Sequence, residues 1–270
     1  MSKLESALLD LGGLDALARH QSPIHRLDPR AKALTALAFI VTVVSFGKYD
    51  LAGLLPLLAY PVALIVLGDL PPGTLLGKLL LASPFALAIG LVNPLLDRTI
   101  QMQLGPLRIS GGWISYASIL LRFGLTLSAA LILIATTGFN SVCLALDRLK
   151  APRALTVQLM LLYRYIFVLA GEGSRMVRAW SMRAGGGRRM SPRVFSSLVG
   201  QWLLRALDRA QRLHLAMLCR GFDGEIRQLR PLRFGAPDAV FMLAWTAFFV
   251  LARCYNLPQL LGRAVTGIAR

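Results

Sequence analysis

The feature that most constrains this chain is a succession of apolar runs with only short polar or basic stretches between them. Residues 33–46 (ALTALAFIVTVVSF) and 51–67 (LAGLLPLLAYPVALIVL) are parted by Gly47, Lys48, Tyr49 and Asp50 alone, the pattern of a helical hairpin. A third run, 75–96, is interrupted by Lys78, Pro84 and Pro94, and a fourth, 114–139, holds the single charge Arg122. The last, 240–252 (VFMLAWTAFFVLA), has Trp245 inside it, with Arg253 and Tyr255 at its end as interface anchors. A spanning helix needs roughly 20 apolar residues. The third and fourth runs meet that length, whereas the first either recruits Arg30 to Lys32 as snorkelling flanks or sits within a bundle. Pro56, Pro61 and Pro84 predict kinked helices whose neighbours satisfy the freed carbonyls.

Composition excludes the soluble alternative. Apolar residues make up 56% of the 270 and charged residues only 16%. Counting the 24 glycines and omitting the 6 tyrosines gives about 63%, against roughly 45 to 50% in soluble chains on that residue set. Such a chain cannot cover a water-facing surface, so much of it meets lipid. The expected fold is an all-α membrane protein of about five transmembrane helices with amphipathic helices on the cytoplasmic side. Along the chain this gives a cytoplasmic N-terminal segment (1–30), transmembrane helices 1–4 (31–139), an arginine-rich cytoplasmic or interfacial region (140–235), and a last transmembrane helix with a C-terminal tail (236–270).

The net charge of +17 would by itself suggest nucleic acid, but its distribution suggests topology instead. Between residues 146 and 235 there are seventeen basic residues, all but Lys150 arginine, against the five acids Asp147, Glu172, Asp208, Asp223 and Glu225. The positive-inside rule places this block in the cytoplasm. With the N-terminus inside, four crossings also return the chain to the cytoplasm near Asn140. No nucleic-acid partner is expected. The early acids Glu5, Asp10, Asp15 and Asp28 argue against a cleavable signal peptide, and Leu4, Leu8, Leu11, Leu14 and Leu17 form a helical stripe on that segment. Asp28 followed by Pro29 reads as an N-cap and first helical position.

Within the basic block, residues 154–170 (ALTVQLMLLYRYIFVLA) are apolar enough to cross the bilayer, yet Arg164 suits an interfacial, protein-covered helix equally well. Residues 194–220 alternate leucine with Arg205, Arg209 and Arg212 in an amphipathic helical pattern, which serves either lipid or a docked protein. An internal repeat links the two segments. Arg175-Met-Val-Arg-Ala179-Trp-Ser-Met-Arg183-Ala184 aligns without gaps on Arg212-Leu-His-Leu-Ala216-Met-Leu-Cys-Arg220-Gly221. A spacing of four returns to the same helix face, so Arg, Ala and Arg form one stripe whose small central residue permits close approach. Glycine follows each copy: Gly185, Gly186 and Gly187 in the first, Gly221 and Gly224 in the second.

A simple reading is that arginine favours helix C-termini and glycine caps them. The sharper one is that each helix end carries an arginine fork into a groove on a partner, where it meets carboxylates and backbone carbonyls.

The stretch Ile24-His-Arg-Leu-Asp-Pro-Arg-Ala-Lys-Ala-Leu34, the two arginine motifs, and Arg220-Gly-Phe-Asp-Gly224 together resemble the transmembrane T subunits of energy-coupling factor transporters, most closely the CbiQ type for cobalt. The resemblance spans roughly residues 20 to 252. It implies a helical scaffold in the bacterial cytoplasmic membrane whose two coupling helices end in Ala-Arg-Gly-like motifs. It also implies, as partners, two CbiO-like ABC ATPase subunits, a CbiM-like substrate-binding membrane subunit, a small accessory membrane subunit, and lipid. Arg183, Ala184, Gly185, Arg220 and Gly221 would dock the ATPases, with Arg175, Ala179, Arg212 and Ala216 as the supporting stripe. Met182 and Cys219 stand where the family motif has alanine, and Ala184 where the second copy has Gly221, so Gly185 competes for the small-residue role.

No GxxxxGK[ST] run occurs, so hydrolysis of ATP would belong to a partner. His20, His25, His214, Cys143, Cys219 and Cys254 show no metal-ligand spacing, and neither metal nor cofactor is expected in this chain. Two alternatives stay open: a T subunit for nickel or a vitamin, and a membrane-embedded enzyme acting on lipid phosphates. The enzyme reading needs clustered aspartates for a divalent cation, which Asp147, Asp208 and Asp223 do not supply by spacing. Arg122 and Lys78 either line a translocation path or snorkel to headgroups.

Overall fold

A computed structural model describes residues 13, 15, 17, 18, 20, 22–47, 50–96, 100–104, 107–184, 190–224 and 234–254. The chain divides into two compact units, Met1–Asp15 with Phe139–Pro231, and Ala16–Gly138 with Leu232–Arg270.

In the larger unit, α1 (Pro29–Ser45) starts as the sequence predicts. The Asp28 carboxylate accepts the Arg30 backbone N–H at 2.8 Å, and Pro29 occupies the first turn. Residues Ala31, Thr35, Ala36, Phe39 and Val43 are buried along one face, and α1 packs against both α6 (Gly111–Thr137) and α10 (Ala236–Cys254). The second run does not form one smooth helix. It folds as α2 (Leu51–Leu54), a 3-10 turn (Leu55–Leu58) containing Pro56, and α3 (Ala59–Gly68). Proline lacks the N–H that an α-helix needs, and the tighter turn absorbs the break. α4 (Pro72–Gly90) instead carries Pro84 internally, and α5 (Val92–Leu96) follows it.

Lipid tails are as apolar as leucine, so such helices associate through close packing and polar contacts rather than burial from water. Both are present in this unit. The Phe39 and Tyr60 rings stack at 4.5 Å, and Tyr60 meets Trp245 and Phe249 edge-on at 4.9 and 5.3 Å. A Cβ on Gly90 would lie 2.8 Å from the Tyr116 ring, so α4 approaches α6 where only glycine fits. Three polar ties hold the helix starts. The Asp28 N–H donates to Asp238 Oδ1 at 2.7 Å, the Gly235 N–H to Asp238 Oδ2 at 2.7 Å, and Lys32 Nζ to the Thr136 carbonyl at 2.9 Å. The Arg122 guanidinium donates to the Gly47 carbonyl, so this intramembrane charge ties α6 to the turn after α1.

A short antiparallel hairpin, β1 (Ile100–Leu104) with β2 (Leu107–Ser110), joins α5 to α6, with an irregularity in register between Ile100 and Met102. The sequence reading did not anticipate it.

The smaller unit contains α7 (Phe139–Arg148), α8 (Arg153–Arg183) and α9 (Pro192–Cys219). α7 ends on Lys150 in the left-handed conformation, with the Ala151 N–H returning to the Leu146 carbonyl at 3.0 Å. The Phe139 and Tyr163 rings stack at 4.5 Å and hold α7 on α8.

Among the described residues, five helical segments are long and apolar enough to cross a membrane: Leu51–Gly68, Pro72–Pro94, Gly111–Thr137, Arg153–Arg183 and Ala236–Cys254. The protein is a multi-pass, all-α membrane protein. The number agrees with expectation, but the membership differs. α1, at 17 residues, falls short of the spanning length, while the ambiguous stretch 154–170 is the first half of the unbroken 31-residue α8, about 46 Å long.

Candidate functional site

The two arginine motifs occupy the C-terminal ends of α8 and α9, as their spacing predicts. On α8, Arg175 and Arg183 are exposed and Ala179 is half-buried between them. On α9, Arg212, Ala216 and Arg220 are all exposed. Among the described residues no carboxylate forms an ion pair with Arg175, Arg183, Arg212 or Arg220. Four guanidinium groups with unused donors therefore lie along two helix ends.

The second end has a defined terminus. Arg220 is the C-cap, and Gly221 follows with φ +76°. The Gly221 N–H donates to the Leu218 carbonyl and the Phe222 N–H to the Met217 carbonyl, both at 3.0 Å. This pair of bonds is a Schellman motif, which satisfies carbonyls that the last turn would otherwise leave open. The capping reading of Gly221 is thus correct, and it coexists with an arginine free to bind elsewhere. The first end differs. Ala184 stays right-handed (φ −78°, ψ 0°), its N–H bonding the Trp180 carbonyl at 2.9 Å. Gly185, with Gly186 and Gly187, lies outside the described residues.

α8 and α9 approach each other near Gly173, where a Cβ would sit 3.5 Å from the Trp202 indole. Trp202 Nε1–H donates to the Leu169 carbonyl at 3.0 Å. Glu172, nearly buried, accepts from Arg209 at 3.0 Å and pairs with Arg205 at 3.7 Å. Two clefts flank this contact. One, of about 390 Å³, is mostly apolar and is walled by Leu161, Leu169, Leu213, Met217 and Phe222. The other, of about 750 Å³, is walled by Arg175, Arg183, Arg193 and Arg205 together with Trp180 and Leu198. Sequence reasoning passed over Glu172, Trp202 and Arg193. The signal available was Glu172 as the only acid between Asp147 and Asp208 in a strongly basic block.

α9 buries no residue fully, and Phe195, Leu203, Leu204, Leu207, Leu215 and Leu218 are exposed along it. Its turned-in seam (Val194, Leu198, Trp202, Ala206, Arg209, Leu213, Met217) recurs every three or four residues, the period of one helix face. Among the described residues no three His, Cys, Asp or Glu side chains come together to hold a metal ion.

The sequence profile of the family described as CbiQ, cobalt transport protein, matches residues 20–231, a stretch that contains both motifs and the Asp28 cap. An uncharacterized protein of Methanocaldococcus jannaschii is 30% identical over 140 residues, covering 50% of this chain and 52% of its own length. The cobalt transport protein CbiQ of Rhodobacter capsulatus is 33% identical over 118 residues, 43% of this chain and 48% of its own. The chain thus aligns with about half the length of these two curated relatives. The energy-coupling factor transporter transmembrane protein EcfT of Limosilactobacillus fermentum aligns more fully, 29% identical over 265 residues, covering 85% and 93% of the two chains. With three quarters of its length matched by the family profile, the chain belongs to the CbiQ family of cobalt transport proteins.

Proposed function

We propose that this chain is the transmembrane T subunit of an ATP-driven energy-coupling factor importer, with cobalt as its cargo. The ends of α8 and α9 dock a pair of ABC ATPase subunits, and a separate CbiM-like membrane subunit, with a small accessory subunit, holds the substrate. The observation that carries this reading is the pairing of two repeated, exposed, unpaired arginines, Arg183 and Arg220, at the tips of two long helices. An ATPase groove offering carboxylates and backbone carbonyls suits a planar fork that stays charged at all working pH values. Ala179 and Ala216 keep the flanks of each stripe narrow enough to enter it.

The same arrangement supports a route for motion. α8 is continuous for 31 residues, so a displacement at Arg183 reaches its apolar first half without a flexible joint. In this reading the N-terminus and the basic ends of α8 and α9 face the cytoplasm of a bacterial inner membrane, and α9 presents its exposed leucines to the substrate-binding subunit. Neither ATP nor metal is bound by this chain.

The test is co-purification of the ATPase pair with the tagged chain, alongside cobalt uptake in cells. Arg220→Ala should weaken both, and Arg183→Ala with Arg220→Ala should abolish them while the chain still inserts in the membrane. Wild-type complex yield and uptake in the double variant would overturn the docking model.

A further inference from the structure

The cleft of about 750 Å³ between α8 and α9 shares Arg175, Ala179 and Arg183 with the docking stripe, but its α9 wall, with Arg193, Ser197 and Arg205, has no part in docking at the helix tips. It gathers Arg175, Arg183, Arg193 and Arg205 around a single acid, Glu172, whose oxygens are already engaged by Arg205 and Arg209. The start of α9 opens into the same space. Ser191 caps it by accepting the Val194 N–H, and the helix dipole adds positive potential where Arg193 and Ser197 line the wall. Four like charges gathered in one concavity repel each other, and an anion placed there relieves the repulsion.

The wall chemistry narrows the anion. Met176, Trp180, Val194 and Leu198 give the cleft an apolar side, and exposed Met182, Phe195 and Val199 border its helices. A bare hydrated anion gains nothing from apolar walls, whereas a phosphodiester with attached glycerol and methylenes uses both halves. Tryptophan beside arginine is also the residue pairing favoured at headgroup level.

We propose that this cleft is a phosphate site for an anionic phospholipid headgroup. Arg175, Arg193 and Arg205 hold the phosphate oxygens, and Met176, Trp180 and Leu198 hold the glycerol and first methylenes. A lipid seated there braces the two helices apart at a fixed spacing. The site concerns this chain alone, so it stands or falls separately from ATPase docking.

The experiment is native mass spectrometry of the full-length chain in mild detergent, without ATPases, titrated with dioleoylphosphatidylglycerol, dioleoylphosphatidylcholine and sodium phosphate. The wild type should retain phosphatidylglycerol in preference to phosphatidylcholine. R175Q/R193Q should bind it about thirtyfold more weakly, from two arginines near a phosphate. R148Q/R164Q, an equal charge change outside the cleft, should bind it as the wild type does. S197E leaves every arginine in place but puts a carboxylate at the cleft wall, and it should lose binding comparably. Displacement of the lipid by sodium phosphate, with the same dependence on variants, would keep the anion site but assign it to free phosphate. Equal loss in both double variants, or no preference for phosphatidylglycerol, would overturn the proposal.

Discussion

Replacing Gly221 by alanine tests whether the turn after α9 aims Arg220. Gly221 holds φ +76°, and a Cβ built there meets no atom within 4 Å. The substitution therefore introduces no clash among the described residues, and its cost there is conformational only. A left-handed backbone costs a residue bearing Cβ about 1–2 kcal/mol. At roughly 1.4 kcal/mol per factor of ten, the aimed conformation should lose about five- to thirtyfold in population. If ATPases bind that conformation, their dissociation constant rises by the same factor.

Asparagine visits the left-handed region far more readily than alanine, so Gly221→Asn should recover most of the affinity. The assay is the equilibrium affinity of the purified ATPase pair for the chain in nanodiscs, with far-UV circular dichroism as a check on helix content. Gly221→Ala with wild-type affinity would refute the link between turn and docking. Asparagine as damaging as alanine would show instead that the partner needs the missing side chain, not the dihedral angle.

Asp238→Ala should destabilise the larger unit by about 2–4 kcal/mol, since it leaves the buried Asp28 N–H and the part-buried Gly235 N–H without their acceptor. Thermal unfolding in detergent measures it, and a loss under about 0.5 kcal/mol would refute the role of this tie. Burial, with the nearby Lys32 ammonium second, pushes His25 below its ordinary value of 6.5. Because the unfolded chain then takes the proton first, stability should be flat above pH 6.5 and fall as pH drops below it. His25→Gln should remove that slope in unfolding measured across pH. Finally, the two docking arginines should be unequal. Arg220 precedes a glycine-fixed turn whereas Arg183 precedes a right-handed Ala184, so Arg220→Ala should weaken ATPase affinity more than Arg183→Ala in the same assay.

Most of the architecture was legible because lipid makes length and apolarity decisive. The runs at 51–67, 75–96, 114–139 and 240–252 all became helices, and Asp28-Pro29 began α1 as a cap. The fate of 154–170 was not legible. Its composition satisfies both a spanning and a covered helix, and only the unbroken continuation to Arg183 shows one rod that is apolar at one end and basic at the other. The hairpin at 100–110 was missed for a different reason. Two strands of four or five residues carry too little periodicity to register beside runs of twenty. In the site, the repeat revealed which residues share a face, but Trp202 to Leu169 and Glu172 to Arg209 are contacts between helices, which no pattern along one helix encodes.

α9 poses a problem that the described residues do not solve. Isolated helices are marginal in water unless tertiary packing covers an amphipathic face. Here a 28-residue helix has no fully buried residue and touches α8 along a single seam, while seven large apolar side chains stay exposed elsewhere on it. The seam supplies one indole hydrogen bond and one buried carboxylate shared by two arginines, a few kcal/mol at most by ordinary magnitudes. That is too little to hold so long an element with so much apolar surface in water. The remaining stabilisation must come from whatever covers the leucines and neutralises the arginines. On the function proposed for it, such a helix is half of an interface, its sequence selected for the assembly as much as for the subunit's own fold.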